Sequence, residues 1–133
     1  MSGTGTPEDP WTLTTPAGGT SFEIWRDAEK GVLHCQVGGT WLHYDPRALD
    51  DALGMLRAHG DWMELGNKDE KQETKPGTVE HWARASDNPI GGWYGLRKGY
   101  RGRFANYIMP ILAAQGLVEF EKKGRSWWVR ATG

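Results

Sequence analysis

The stretch ILAAQGLVEFEKKGRSWWVR, residues 111–130, decides the fold. Ile111 and Leu112 continue a helical face that begins upstream with Phe104 and Ile108, at the spacing of one buried stripe. Arg103, Asn106 and Tyr107 fall largely on another face. Gly116 is the residue type that ends a helix in the left-handed conformation. Beyond it, Leu117 to Glu121 reads as a strand, Lys122 to Arg125 as a polar turn, and Ser126 to Ala131 as an aromatic and β-branched return strand. A helix near 101–115 therefore runs into a β-hairpin, with strands near 117–121 and 126–131 and a basic tip. Pro110 lies inside the helical stretch and is expected to kink or split it near Met109.

Working outward, residues 86–99, SDNPIGGWYGLRKG, combine glycine with aromatic residues and separate this helix from a short one predicted near 79–85, capped by Thr78. Residues 66–77, GNKDEKQETKPG, carry no apolar side chain and read as a flexible, solvated loop. A helix near 46–59 opens at Asp45-Pro46, an N-cap followed by proline at the first helical position. Its Leu49, Ala52, Leu53 and Leu56 form one stripe, Gly60 stops it, and 61–65 reads as a short extended piece. Earlier still, Val32–Val37 and Thr40–Tyr44 flank Gly38-Gly39, a hairpin signal. Counting outward pairs Val37 with Thr40, Cys35 with Leu42 and Leu33 with Tyr44 on an apolar face. Gln36 then meets Trp41, and His34 meets His43, on the other. Residues 22–25 alternate as a further strand. Residues 1–16 read as a flexible lead-in, in which Trp11 and Leu13 are able to dock. The fold class expected is α+β: one domain over 17–133, with an N-terminal antiparallel β-hairpin sheet (17–44) followed by a winged helix (45–133).

The segment 111–130 resembles the end of the winged helix-turn-helix domains of GntR-like and MarR-like bacterial regulators. Gly116-Leu117-Val118 match the first wing strand, Lys122 to Arg125 the wing tip, and Trp127 to Arg130 the return. The order helix, short strand, helix, helix, strand, strand over 45–131 agrees with it. Asn88 to Leu96 (NPxGGWYGL) and Arg101 to Phe104 (RGRF) resemble a family of small uncharacterised actinobacterial proteins, which implies no activity. The regulator resemblance implies double-stranded DNA as partner, with one helix in the major groove and the wing along the backbone. On that mapping Arg103 and Asn106 contact bases, guanine and adenine respectively. Arg97, Lys98, Arg101, Lys122, Lys123 and Arg125 contact phosphates.

Composition narrows the function classes. The 133 residues suit one domain with a real core. Net charge is −1, but residues 1–66 carry −6, residues 67–133 carry +5 and residues 97–133 alone carry +6. Such a split points the basic end at a polyanion. The single cysteine, Cys35, excludes an intramolecular disulfide and a cysteine-type zinc site, and a reducing, cytoplasmic setting is expected. Residues 1–10 have no secretory n- or h-region and no apolar run is long enough for a membrane span. His34 and His43 face each other, yet a zinc site needs a third or fourth ligand that no neighbouring motif supplies, so no metal or cofactor is expected. The loop GGWYGLRKG lacks phosphate-loop spacing. Its Trp93 and Tyr94 either stack on bases, meet a partner, or pin the loop to the core. Eight Trp residues serve core and contact surface alike. Three functions follow: a non-catalytic DNA-binding regulator or chromosome-associated factor; a winged-helix protein-interaction module; and a small enzyme, for which no paired acid/base constellation and hence no catalytic residue is found.

Overall fold

A computed structural model describes residues 3–133; Met1 and Ser2 of the expected lead-in lie outside the described residues. Gly38, at φ 58°, turns strand β3 (Val32–Val37) into β4 (Thr40–Tyr44). The five cross-strand pairs are those counted from the turn: Val37 with Thr40, Gln36 with Trp41, Cys35 with Leu42, His34 with His43, Leu33 with Tyr44. Leu33, Cys35, Leu42 and Tyr44 are buried, so the apolar face looks inward. Strand β2 (Ser21–Asp27) adds Phe22 and Ile24 to that face.

The lead-in is more ordered than expected. Trp11–Thr14 forms strand β1, paired antiparallel with β2, and completes a four-stranded sheet of order β1-β2-β3-β4. Its alternation puts Leu13 in the core and Thr12 and Thr14 outside. Residues 4–9 fold back as a tight turn, with the amides of Thr4, Gly5 and Thr6 all donating to the Asp9 carbonyl. A side chain at Gly5 would lie 2.4 Å from the Trp11 ring, so only glycine fits there.

Helix α1 (Ala48–His59) buries Leu49, Ala52, Leu53 and Leu56, the stripe read from the sequence. The helix starts two residues later than expected, with Arg47 rather than Asp45 at its N-cap and no side-chain cap bond; Asp45 Oδ1 accepts from the Arg47 amide in the turn before it, and Gly60 closes the helix at φ 72°. Strand β5 (Met63–Glu64) follows. Helix α2 (Val79–Trp82) is capped by Thr78, whose Oγ1 accepts from the His81 amide. It stops three residues short of the expected 85. Past Trp82 the chain tightens into i→i+3 turns, Arg84 to His81 and Ala85 to Trp82, while the Trp82 carbonyl also accepts from Asn88 Nδ2 and the Ala83 carbonyl from the Tyr94 amide.

Helix α3 (Phe104–Ala114) begins after residues 101–103 rather than with them. Gly102 packs so closely on the backbone of Asp69 and Glu70 that a Cβ would lie 2.3 Å from the Glu70 nitrogen, and Arg103 is left-handed at φ 59°. Pro110 does not split the helix, which runs unbroken to Ala114. Strands β6 (Val118–Lys123) and β7 (Ser126–Ala131) form the second hairpin, and β5 pairs with β7 to give a sheet of order β5-β7-β6. α3 packs on α1 and also touches β1 of the first sheet and β6 of the second, so one core joins both sheets. The protein is α+β, and no helix of the described residues is long and apolar enough to cross a membrane.

Candidate functional site

The site is built on a buried carboxylate. Glu80 is fully buried, and its oxygens accept from the first two amides of α3, Phe104 at 3.1 Å and Ala105 at 3.0 Å. The helix has no side-chain cap of its own and no acidic residue in its first turn, so Glu80 supplies from α2 what α3 lacks. Arg84 lies 3.4 Å from Glu80 and donates to the carbonyls of Lys68, Asp69 and Gln72. Burial pushes the Glu80 carboxyl up to about 7, against the pull of the two amides and the guanidinium.

The expected flexible loop 66–77 is therefore anchored. Besides Arg84, the Arg103 amide donates to the Lys68 carbonyl. Glu70 accepts from the Gly99 amide at 2.8 Å and from Arg101, through both the amide (3.0 Å) and Nε (2.7 Å). Burial works to raise the Glu70 carboxyl, but these donors prevail and hold it below the usual value. An all-polar segment is held because its partners are main-chain groups and charges distant in sequence, not apolar contacts.

This frame walls a cleft of about 590 Å³ between the β1–β2 loop, the 64–68 segment, the start of α3 and the tip of the second hairpin. Lys68, Lys75, Arg103 and Arg125 line it, against one carboxylate, Glu64, which pairs with Lys75 at 3.2 Å. Lys68, Arg103 and Arg125 have no carboxylate partner among the described residues. Asn106 Nδ2 donates to Asn67 Oδ1 at 2.9 Å, and Trp127 forms part of the wall. Arg103 is the one non-glycine among the described residues with positive φ. Such a conformation costs on the order of 1–3 kcal/mol and tends to persist where function holds it.

Of the residues singled out from sequence, the structure brings Arg103, Asn106 and Arg125 together here. Lys68, Lys75 and Trp127 join them unannounced, because no local pattern marks a lysine in a mixed-charge loop as facing a cleft. The rest lie elsewhere. Arg97 donates to the Trp41 carbonyl and stacks on Tyr100, at the edge of β4, with Lys98 exposed beside it. Arg101 is a correction: its guanidinium is held by Glu70 and lies 4.3 Å from the Trp93 ring centre, so it is not free for phosphate. Lys122 is exposed near the hairpin tip, on the Trp127 face of the strand pair. Lys123 sits on the opposite face, over Trp62 and Trp128.

Two further readings are corrected by burial. Of the alternatives for Tyr94, it takes the one that pins the loop to the core and is no stacking platform: it is fully buried, stacks on Trp82 and donates its hydroxyl to Asp51 at 2.8 Å. Trp93 is half-buried and carries both the Arg84 and the Arg101 guanidinium. Nor is α3 an exposed helix, as the resemblance implied: eight of its eleven residues are buried against the two sheets and α1. Arg103 precedes the helix instead of projecting from it. Cys35 is buried on the sheet's inner face and burial pushes its thiol far up, out of nucleophilic range. No group of three or more His, Cys, Asp or Glu side chains arranged to hold a metal occurs among the described residues.

Comparison with curated proteins and with solved structures finds no match. Residues 3–132 match the model of DUF6855, a family of unknown function, and the chain belongs to that family.

Proposed function

We propose that this protein is a non-catalytic nucleic-acid-binding module that grips the phosphate backbone with the rim of the basic cleft and the tip of the second hairpin. The observation that carries the reading is the convergence of Lys68, Lys75, Arg103 and Arg125 on one cleft with a single, already paired carboxylate. The strain accepted at Arg103 supports it. The element order α1-β5-α2-α3-β6-β7, with the short β5 pairing on the last strand, supports a winged-helix-like topology for residues 45–131. In this version the wing and the residues before α3 bind, and the buried α3 serves as scaffold. Contacts are to phosphate, so affinity depends on salt and little on sequence.

The test is anisotropy of labelled mixed-sequence duplex and single-stranded DNA at several salt concentrations. Four phosphate contacts give a log–log slope of about −3 to −4. Replacing Lys68, Arg103 and Arg125 together with Ala should flatten that slope by about 2 to 3 for every sequence tried. Absence of binding to either form at low salt ends the proposal.

A second reading has its own observation. Trp41, Leu96 and Tyr100 are, among the described residues, the exposed large apolar side chains, at 39%, 49% and 42%, and Arg97 bridges Trp41 and Tyr100. Aromatic residues grouped with arginine are the chemistry of protein-binding hot spots. A protein partner held there would be lost on Trp41→Ala, a change that leaves DNA binding at the cleft intact.

A further inference from the structure

On the outer face of the first sheet, away from the cleft, His34 and His43 oppose each other across β3 and β4 with their Nδ1 atoms 2.9 Å apart. The ring centroids lie farther apart than the nitrogens, at 4.9 Å, so the two Nδ1 edges face each other. Behind them, Asp27 Oδ2 lies 3.3 Å from His34 Nε2. That carboxylate accepts from the Lys30 amide at 3.0 Å through its other oxygen, so it is fixed as an acceptor. With Asp27 accepting from Nε2–H of His34, the His34 Nδ1 lone pair faces His43, whose Nδ1–H donates to it; a metal ion would take the place of that shared proton. Trp25 packs at 5.4 Å on His34 and edge-on, also at 5.4 Å, against Trp41, fixing the first ring in place.

Two facing imidazole nitrogens at this distance share either a proton or a cation. With metal–nitrogen bonds of about 2.0–2.1 Å, a separation of 2.9 Å subtends about 90° at a metal ion. A tetrahedral ion would want the nitrogens about 3.3 Å apart. The geometry points to a site for a tetragonal divalent transition-metal ion of the Cu2+ or Ni2+ class, chelated in cis by Nδ1 of His34 and His43, with solvent in the remaining positions and Asp27 orienting His34 from behind. Imidazole suits these ions, and a carboxylate on the far nitrogen of a ligating histidine is the usual outer support.

The experiment is titration of the full chain with Cu2+ at neutral pH, followed by electron paramagnetic resonance and by histidine-ring NMR. The expected result is one equivalent bound with a tetragonal, nitrogen-coupled spectrum. At substoichiometric copper the His34 and His43 ring signals should broaden before those of His59 and His81. His34→Gln and His43→Gln should each weaken binding at least tenfold and Asp27→Asn about tenfold, while the double variant H59A/H81A binds as the unaltered chain does. The NMR readout uses the unaltered protein and so does not depend on any variant folding. If copper broadens His59 or His81 first, or leaves the His34 and His43 signals sharp at one equivalent, the pair is a hydrogen bond only and the site does not exist.

Discussion

Arg84 and Arg103 lie on the two sides of the same loop and have opposite employment. Arg84 is nearly buried, at 9% side-chain exposure; it meets the Glu80 carboxylate and three backbone carbonyls and stacks on Trp93. Arg103 is exposed, lacks a carboxylate partner among the described residues, and sits in a backbone conformation that favours glycine. One arginine holds the fold and the other is held by it. The difference shows why a count of cations along the chain overstates a binding surface. The +6 of residues 97–133 includes Arg101, paired with Glu70, and Arg130, paired with Glu119. What faces the cleft is a smaller set, two of whose members come from the loop before.

The comparison is most severely tried at Glu80. Glu80→Ala strands Arg84 in the core and uncaps α3, and it should cost about 3–5 kcal/mol in chemical denaturation, as breaking a buried pair does. A loss under about 1 kcal/mol would mean that the pair behaves like a surface one. Next comes pH. Below about 4.5 both states hold the Glu80 proton; from there to about 7 the unfolded chain releases it while the folded chain keeps it. Stability should therefore fall through that window, by on the order of 3 kcal/mol, and level off above it. Glu70, held low, acts in the opposite sense at lower pH. Urea midpoints measured across pH 4–8 check this, and Glu80→Gln should flatten the slope.

Arg103→Gly should split stability from binding. Relief of the left-handed strain raises stability by about 1 kcal/mol, while DNA affinity drops. If both fall together, Arg103 is structural and the comparison with Arg84 collapses. The smallest effect belongs to Arg125→Ala at the hairpin tip: within about 0.5 kcal/mol of unaltered stability, with a salt slope shallower by about 1.

Elements governed by local rules were legible in the sequence. The first hairpin's register follows from Gly38-Gly39 and alternation. The α1 stripe follows from helical spacing, and the second hairpin from Gly116 and the β-branched return. What escaped depends on distant partners. Strand β1 carries the alternation Trp11-Thr12-Leu13-Thr14, but Pro and Thr around it mask the signal until β2 pairs with it. Glu80 looks like any surface glutamate of a short helix, because the amides it satisfies come 24 and 25 residues later. The cleft was half visible: Arg103 and Asn106 stood out on the polar face of the predicted helix and Arg125 at the hairpin tip. Lys68 and Lys75 are placed there by long-range anchors on their loop: Arg84 and the Arg103 amide on the Lys68 carbonyl, and Glu64 on Lys75. The α1 to β7 order was readable, but the burial of α3 was not, since the first sheet that covers it lies far upstream.

The borrowed cap of α3 has a consequence for how the chain folds. A helix whose starting signal is stored on another helix gains little as an isolated peptide, because nucleation is costly and nothing of its own offsets the first turn. α2, of four residues, is too short to persist alone. The two helices therefore form together or not at all, and the amides of Phe104 and Ala105 should exchange with solvent at the rate at which α2 lifts away. Hydrogen exchange would record helices α2 and α3 and the loop between them as one cooperative unit, tied by a single carboxylate.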